Sequence, residues 1–164
     1  MNTSGMKNAR RLSALVSAII VMTCAPALAA GTIFYGSRAG MQVSVVSLSG
    51  LDTANAVIRT KHTRKDAIAF CRDYVQKVTE GCIRETLANP LNDEIRGNCV
   101  TGVFTDFKGY RYQFRGRAGA SSMAKYSLVD LNSGETADGS SASGYGVNMG
   151  IFKALCPTKA PIDE

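Results

Sequence analysis

The sequence is poor in the side chains that most often build metal centres. It has a single histidine, His62, and its cysteines include no pair spaced as CxxC. Structural zinc sites normally use closely spaced cysteine and histidine ligands, so we expect no metal and no cofactor. After the first thirty residues, no apolar run approaches the roughly 20 residues that a membrane-spanning helix needs. We therefore expect no membrane span in the rest of the chain.

Residues 1–29 have the three regions of a secretory signal peptide. An apolar run covers residues 12–25, and Ala27-Leu28-Ala29 fits the small-x-small cleavage pattern. The basic residues that precede the run are Lys7, Arg10 and Arg11. We predict cleavage after Ala29 and export to the periplasm or the medium. An uncleaved anchor helix and lipidation at Cys24 are the alternatives, and Thr23 disfavours lipidation because small residues normally precede a lipidated cysteine.

The chain after the signal segment has the length of one domain. We expect a single α+β domain over residues 30–156 and a C-terminal tail over residues 157–164. The signal segment removes three of the 19 basic residues, which leaves 19 − 3 = 16 against 13 acidic residues, a net charge of +3. So mild a charge does not by itself indicate a polyanion-binding protein.

Four cysteines remain after the signal segment: Cys71, Cys82, Cys99 and Cys156. An even number in an exported chain predicts two disulfides, formed in an oxidising compartment. Their pairing depends on the helix that contains the first two. A capping-box pattern starts this helix at Thr63, with Asp66 three residues later, and Asn89-Pro90 ends it.

We favour a continuous helix, in which Cys71 and Cys82 share a face but lie about 16 Å apart. A disulfide needs Cα atoms within about 7 Å, so each of them would then pair with Cys99 or Cys156. A break at Gly81 would instead allow a Cys71–Cys82 bond. The sequence alone leaves both pairings open.

Alternation of apolar and polar residues predicts the strands. Those predicted are residues 41–48 and 54–61 as an N-terminal hairpin, residues 100–105 and 110–117 around a turn at 106–109, and residues 125–131, 134–137 and 145–149, with a helix or turn over 150–157. The fold class is α+β, with an N-terminal β-hairpin, one long or broken helix, an antiparallel sheet of about four to five strands and two disulfides. The helix is expected to pack its Ala67, Cys71, Tyr74 and Val78 face on Tyr112 and Phe114.

The stretch "ADGSSASGYG", residues 137–146, is the one that resembles a catalytic loop. A nucleophile elbow has the pattern G-x-S-x-G, and this loop misses it by one residue in each register. Ser141 or Ser143 with His62 would be the pair for a serine hydrolase, but nothing in the sequence places them together. We expect a flexible loop that contributes to binding through Ser141, Ser143 and Tyr145, and no catalytic residues.

Two further patterns have simple explanations. Asp130, Asn132, Glu135 and Asp138 resemble calcium ligands, but the spacing of an EF-hand is absent and turns explain them. The stretch "KGYRYQF", residues 108–114, resembles the start of an RNA-binding motif and then departs from it. Export also removes most nucleic-acid partners, so we expect no metal and no nucleic-acid partner.

The arginines of the same strand are more informative. Arg111, Arg115 and Arg117 alternate with aromatic residues, so we expect them on one side of the strand. Such a row can bind acidic groups on a protein or an envelope component. A solvated sheet face is the simpler alternative.

Three stretches, "HTRKDAIAFCRDYV", "DGSSASGY" and "ALCP", resemble small exported bacterial proteins. The resemblance covers most of the chain after the signal segment and implies an envelope or secreted setting, without catalytic residues. We therefore expect a non-enzymatic binding or envelope-associated protein, whose partner is a protein or an anionic envelope component. The alternative is an inhibitor of an extracellular or periplasmic hydrolase that inserts residues 139–146, and a serine hydrolase ranks below both. The oligomeric state does not follow from the sequence.

Overall fold

A computed structural model describes Met1, residues 31–140 and residues 142–160. They form one seven-stranded antiparallel sheet, curled into a half-barrel, in which the spatial order of strands follows their order in the chain. The strands are β1 (Thr32–Phe34), β2 (Gln42–Ser49), β3 (Ala56–Lys61), β4 (Glu94–Asn98), β5 (Val103–Thr105), β6 (Arg111–Arg117) and β7 (Tyr126–Asp130). The helices are α1 (Arg64–Asp73), α2 (Glu80–Leu87) and α3 (Tyr145–Leu155).

The α+β character is as predicted, but the prediction of four to five strands with one long helix is wrong. The N-terminal hairpin is not separate, since β3 pairs with β4 and joins it to the rest of the sheet. The strands β1 and β4 were missed. β4 reads "EIRGN", and its glycine disguises it because glycine is rare inside strands. A Cβ on Gly97 would lie 3.0 Å from Cδ1 of Leu155, so the close approach of α3 explains the glycine.

The helical region breaks into two helices joined by a loop at residues 74–79, and the continuous helix is therefore wrong. Gln76 adopts a left-handed backbone, with φ of 57°, and Thr79 starts α2 as an N-cap whose hydroxyl accepts from the amide of Cys82. This reversal brings the Cα atoms of Cys71 and Cys82 to 6.1 Å, where they form a disulfide. The break precedes Gly81, which lies inside α2.

The start of α1 is confirmed in detail. Thr63 is its N-cap, and a full capping box joins Thr63 and Asp66. The carboxylate of Asp66, which is 1 % exposed, accepts hydrogen bonds from the Thr63 hydroxyl at 2.6 Å and from Ser44 Oγ at 3.0 Å. Because Ser44 lies on β2, this buried carboxylate ties the helix start to the sheet.

The main core lies between the sheet and α3, not between the sheet and α1. Phe152 of α3 is fully buried and packs on Phe104 and Phe114, with ring centroids 5.4 and 4.3 Å away. Tyr74 and Val78, which we expected to pack on the sheet, are 45 % and 52 % exposed. The α1–α2 pair instead buries a small cluster of its own, formed by Ala67, Cys71 and Ile83.

The strand predicted over residues 145–149 is wrong, because these residues begin α3. The alternation read there was part of a longer helical pattern. Asn148, Ile151, Phe152 and Leu155 are all buried and follow the i, i+3, i+4, i+7 spacing of one helix face. Gly150 concealed this pattern because it cut the segment into two short ones.

The second disulfide joins Cys99, just after β4, to Cys156, just after α3. Beyond it, the hydroxyl of Thr158 donates to Oδ1 of Asp52 at 2.7 Å, and Ala160 is fully buried. The part of the predicted tail that the structure describes is therefore held against the domain. The predicted signal segment lies outside the described residues.

Two disulfides fit a protein outside the cytoplasm. In the described part of the chain, no helix combines the length and the apolar character required to span a membrane.

Candidate functional site

The pairing register defines the sheet face that points away from α3, which we call the outer face. Side chains paired across antiparallel strands point to the same side. Arg59 pairs with Glu94, Val57 with Arg96, and Thr105 with Arg111. Gln113 pairs with Val103 on one side and Val129 on the other. The exposed basic residues of this face are Arg59, Lys61, Arg96, Arg111 and Arg115.

The outer face has a strong excess of positive charge. Among its described strand residues, Glu94 is the one acid, against five basic residues, which gives 5 − 1 = +4. Glu94 is already paired, with Nε of Arg59 at 2.9 Å and with Arg96 at 2.5 Å. Arg111 and Arg115 form no ion pair within the described residues. A pocket of about 250 Å³ on this face is lined by Arg96, Val57 and Val103 among others.

Arg117 does not continue the row that we expected. The register shifts between Phe114 and Arg117, and Gly116 there has φ of 82°. Because of this bulge, Arg117 pairs with Tyr126. Its side chain therefore points to the same side of the sheet as those of Phe114 and Leu128, which is opposite to the outer face. Arg117 is exposed at the sheet end, and it shares a cavity of about 300 Å³ with Arg115. Of the three predicted arginines, Arg111 and Arg115 therefore lie on the outer face.

The serine-rich loop, residues 137–146, begins beside Arg115 and Arg117, since Ala137 lines the same cavity. Ser141 is outside the described residues. Ser143 donates from Oγ to the carbonyl of Ser140 at 2.8 Å, and the Tyr145 hydroxyl accepts from the amide of Tyr126 at 3.0 Å. The first bond closes a turn within the loop, and the second ties the end of the loop to β7. Such a loop suits the wall of a cleft better than an element inserted into another protein.

A cleft runs beside this loop, and the sequence patterns missed it because three distant segments form it. One part, of about 300 Å³, lies between Tyr35, the turn at Asp106–Tyr110 and the start of α3 at Ser143–Asn148. The other part, of about 340 Å³, is lined by Phe34, Arg38 and Gly146 among others. The two parts share Gly36, Ser37, Gly144 and Val147, and so form one cleft.

The internal hydrogen bonds of the cleft occupy several of its polar groups. Oδ1 of Asp106 accepts from the amides of Lys108 and Tyr110 at 2.8 and 2.9 Å. Burial raises the pKa of the Tyr112 hydroxyl, and the Asp106 carboxylate raises it further, against a hydrogen bond with Asn148 that lowers it. Tyr112 is therefore neutral at physiological pH. Lys108 and Arg38 form no ion pair within the described residues.

Three of the four residues that resemble calcium ligands hold turns, as expected. Oδ1 of Asp130 accepts from the backbone amide of Asn132 at 2.7 Å and from its side chain at 2.6 Å. Oδ1 of Asp138 accepts from the amide of Ser140. In the described ranges, no three histidine, cysteine, aspartate or glutamate side chains cluster closely enough for a metal ion.

His62 has an unusual environment. Its ring packs edge-on against Tyr35, with centroids 5.4 Å apart, and both ring nitrogens are buried and find no hydrogen-bond partner among the residues that the structure describes. It is therefore not paired with Ser143. Burial lowers the pKa of His62, and the nearby Asp66 carboxylate opposes the shift only in part.

This lowered pKa predicts a loss of stability in acid. The unfolded chain binds a proton on His62 at a higher pH than the folded protein does, so stability falls as the pH drops below about 6.5 and through the lowered pKa. Urea unfolding of wild type and His62→Phe between about pH 8 and about pH 5 measures the effect. The wild type should lose more stability than the variant over this interval. Parallel curves for the two proteins would contradict the assignment.

Comparison of the chain with protein-family models, with curated proteins and with solved structures gave no match.

Proposed function

We propose that the protein is an exported, non-enzymatic binding protein of the bacterial envelope, whose outer face docks on an anionic component of that envelope. The segment predicted as a cleaved signal peptide would deliver it to the periplasm or the medium. The observation that carries the proposal is the charge of +4 on the outer face. After signal removal the whole chain would carry +3, so the remaining charges nearly cancel and the positive field belongs to one face.

The outer face also suits a surface rather than a deep ligand. Its arginines are spread over β3, β4 and β6 of one hydrogen-bonded sheet, whose strand pairing fixes their spacing. Arginine guanidinium groups form paired hydrogen bonds with phosphate and carboxylate. Each basic residue near an anionic membrane contributes about 1 kcal/mol to binding.

Binding to lipid vesicles tests the proposal. Vesicles that contain phosphatidylglycerol present phosphate groups, and vesicles of phosphatidylcholine alone are the zwitterionic comparison. The wild type should sediment with the anionic vesicles and be released by salt. The Arg111→Glu, Arg115→Glu double variant should bind about 30-fold more weakly, because two contributions of about 1 kcal/mol are lost.

The matched control is Lys77→Glu, Arg84→Glu, which changes the net charge equally but alters exposed residues of the α1–α2 region. It should bind much better than the outer-face variant. Equal losses in both variants would show that only net charge matters and would reject the outer face. Equal binding to both kinds of vesicle would reject a membrane phosphate as the anionic component.

A further inference from the structure

The cleft beside the serine-rich loop has a chemical character of its own, different from that of the outer face. Phe34 and Tyr110 line its two parts and are 50 % and 51 % exposed. Tyr35 and Tyr112 line the same cleft and are partly buried. Single exposed aromatic residues are common on proteins, but here two exposed rings, those of Phe34 and Tyr110, line one cleft, while Tyr35 packs on His62 and Tyr112 on Phe104.

Charged groups stand beside these rings. Arg38 lines the part that contains Phe34, with its guanidinium over the Tyr74 ring at 4.8 Å from the centroid, and Lys108 lines the part that contains Tyr110. Both are exposed. Asp106 lines the same part as Lys108, and its carboxylate stays negative although its Oδ1 accepts from two backbone amides. The charges of the cleft therefore sum to 2 − 1 = +1, which favours an anionic ligand.

Gly146 is a further residue of the cleft lining whose identity fits a bound ligand. It lies in the first turn of α3, where alanine would favour the helix. A Cβ placed on Gly146 would meet no atom within 4 Å, so packing within the protein does not require a glycine. Its place in the cleft lining supplies a reason, because glycine lets a ligand approach the backbone closely.

We propose that this cleft binds a short acidic oligosaccharide, with sugar rings against Tyr110 and Phe34 and carboxylates near Lys108 and Arg38. A sugar has an apolar face of C–H groups and a polar rim of hydroxyls, which match the aromatic rings and the polar groups between them. The combined cleft also falls within the usual volume of ligand sites, about 300–1,000 Å³. A purely apolar ligand would leave the charged groups of the cleft without partners.

Isothermal titration with tetragalacturonate, a chain of uronic acids, tests this proposal. Cellotetraose serves as the neutral sugar and tetraglutamate as the acidic peptide. The expected result is saturable binding of tetragalacturonate, with weaker binding of the other two. Tyr110→Ala and the Arg38→Gln, Lys108→Gln pair should each weaken binding about tenfold, whereas Tyr110→Phe keeps the ring and should bind like the wild type.

Gly146→Ala separates a ligand role from a structural one. It should raise the melting temperature, because alanine favours the helix, and yet weaken binding of tetragalacturonate. Lys77→Gln with Arg84→Gln removes the same number of charges as the Arg38 and Lys108 pair, at exposed positions that do not line the cleft, and should leave binding unchanged. No saturable binding by the folded wild type would overturn the proposal. So would equal binding of cellotetraose, tighter binding of tetraglutamate, or binding that Tyr110→Ala and Gly146→Ala leave intact.

Discussion

Replacing Phe152 with alanine is expected to lower the free energy of unfolding by about 3–5 kcal/mol. Phe152 is fully buried and touches the rings of both Phe104 and Phe114, so its removal leaves a cavity at the centre of the main core. The surrounding sheet is held by its own hydrogen bonds and cannot collapse freely into that space. Urea unfolding, followed by circular dichroism with the disulfides intact, measures the loss.

Phe34→Ala is the control for this prediction. It removes the same side chain from a position that is half exposed, and should cost less than about 1 kcal/mol. If the two variants lost similar amounts of stability, α3 would not be the element that completes the core.

Loss of the Cys99–Cys156 disulfide should be the other large effect. The bond spans 57 residues, and the loss of chain entropy in the unfolded state then corresponds to about 4 kcal/mol. For the Cys71–Cys82 bond, which spans 11 residues, the same relation gives about 3 kcal/mol. The Cys99→Ala, Cys156→Ala variant should therefore be the less stable of the two double variants.

Thermal unfolding of both variants without reductant compares them directly. The burial of the cysteines predicts the same order of stability for the two variants. Cys99 and Cys156 belong to the main core, whereas Cys71 belongs to the small cluster under α1 and α2. A greater loss in the Cys71→Ala, Cys82→Ala variant would mean that the α1–α2 pair, rather than the sheet and α3, limits the stability of the protein.

Local signals in the sequence predicted local structure well. The capping box at Thr63 formed as expected, because a cap depends on residues three positions apart. The turn at residues 106–109 also formed, with Gly109 at φ of 85°, and its side-chain and backbone bonds lie within five residues. The strands β2 and β6 were found from alternation, and β3 and β7 as arms of hairpins beside turn sequences.

Errors arose where distant residues decided the outcome. The pattern from Ala67 to Cys82 looked like one helix face, since Tyr74 and Val78 fall at helical spacing. The cap at Thr79 and the turn at Gln76 overrode it, and the disulfide holds the result. Gly97 looked like a strand breaker because no neighbouring residue in the chain explains a glycine there. The residue that requires it, Leu155, lies 58 residues later in the chain.

The candidate sites show the same division. The row of arginines on β6 followed from alternation, but the bulge at Gly116 removed Arg117 from the outer face. Arg59 and Arg96 were missed, because their membership of that face depends on β3 pairing with β4. The cleft was missed as well, since no periodic pattern links residues 34–38, 106–110 and 142–148.

The order of the two disulfides along the chain bears on how the protein matures. The first bond joins Cys71 to Cys82 and the second joins Cys99 to Cys156, so neither bond encloses or crosses the other. An oxidant that couples these four cysteines in the order in which they leave a ribosome or a translocation pore makes only native pairs. Along that route, thiol–disulfide exchange would not be needed to correct the bonds, and an oxidase would suffice without an isomerase.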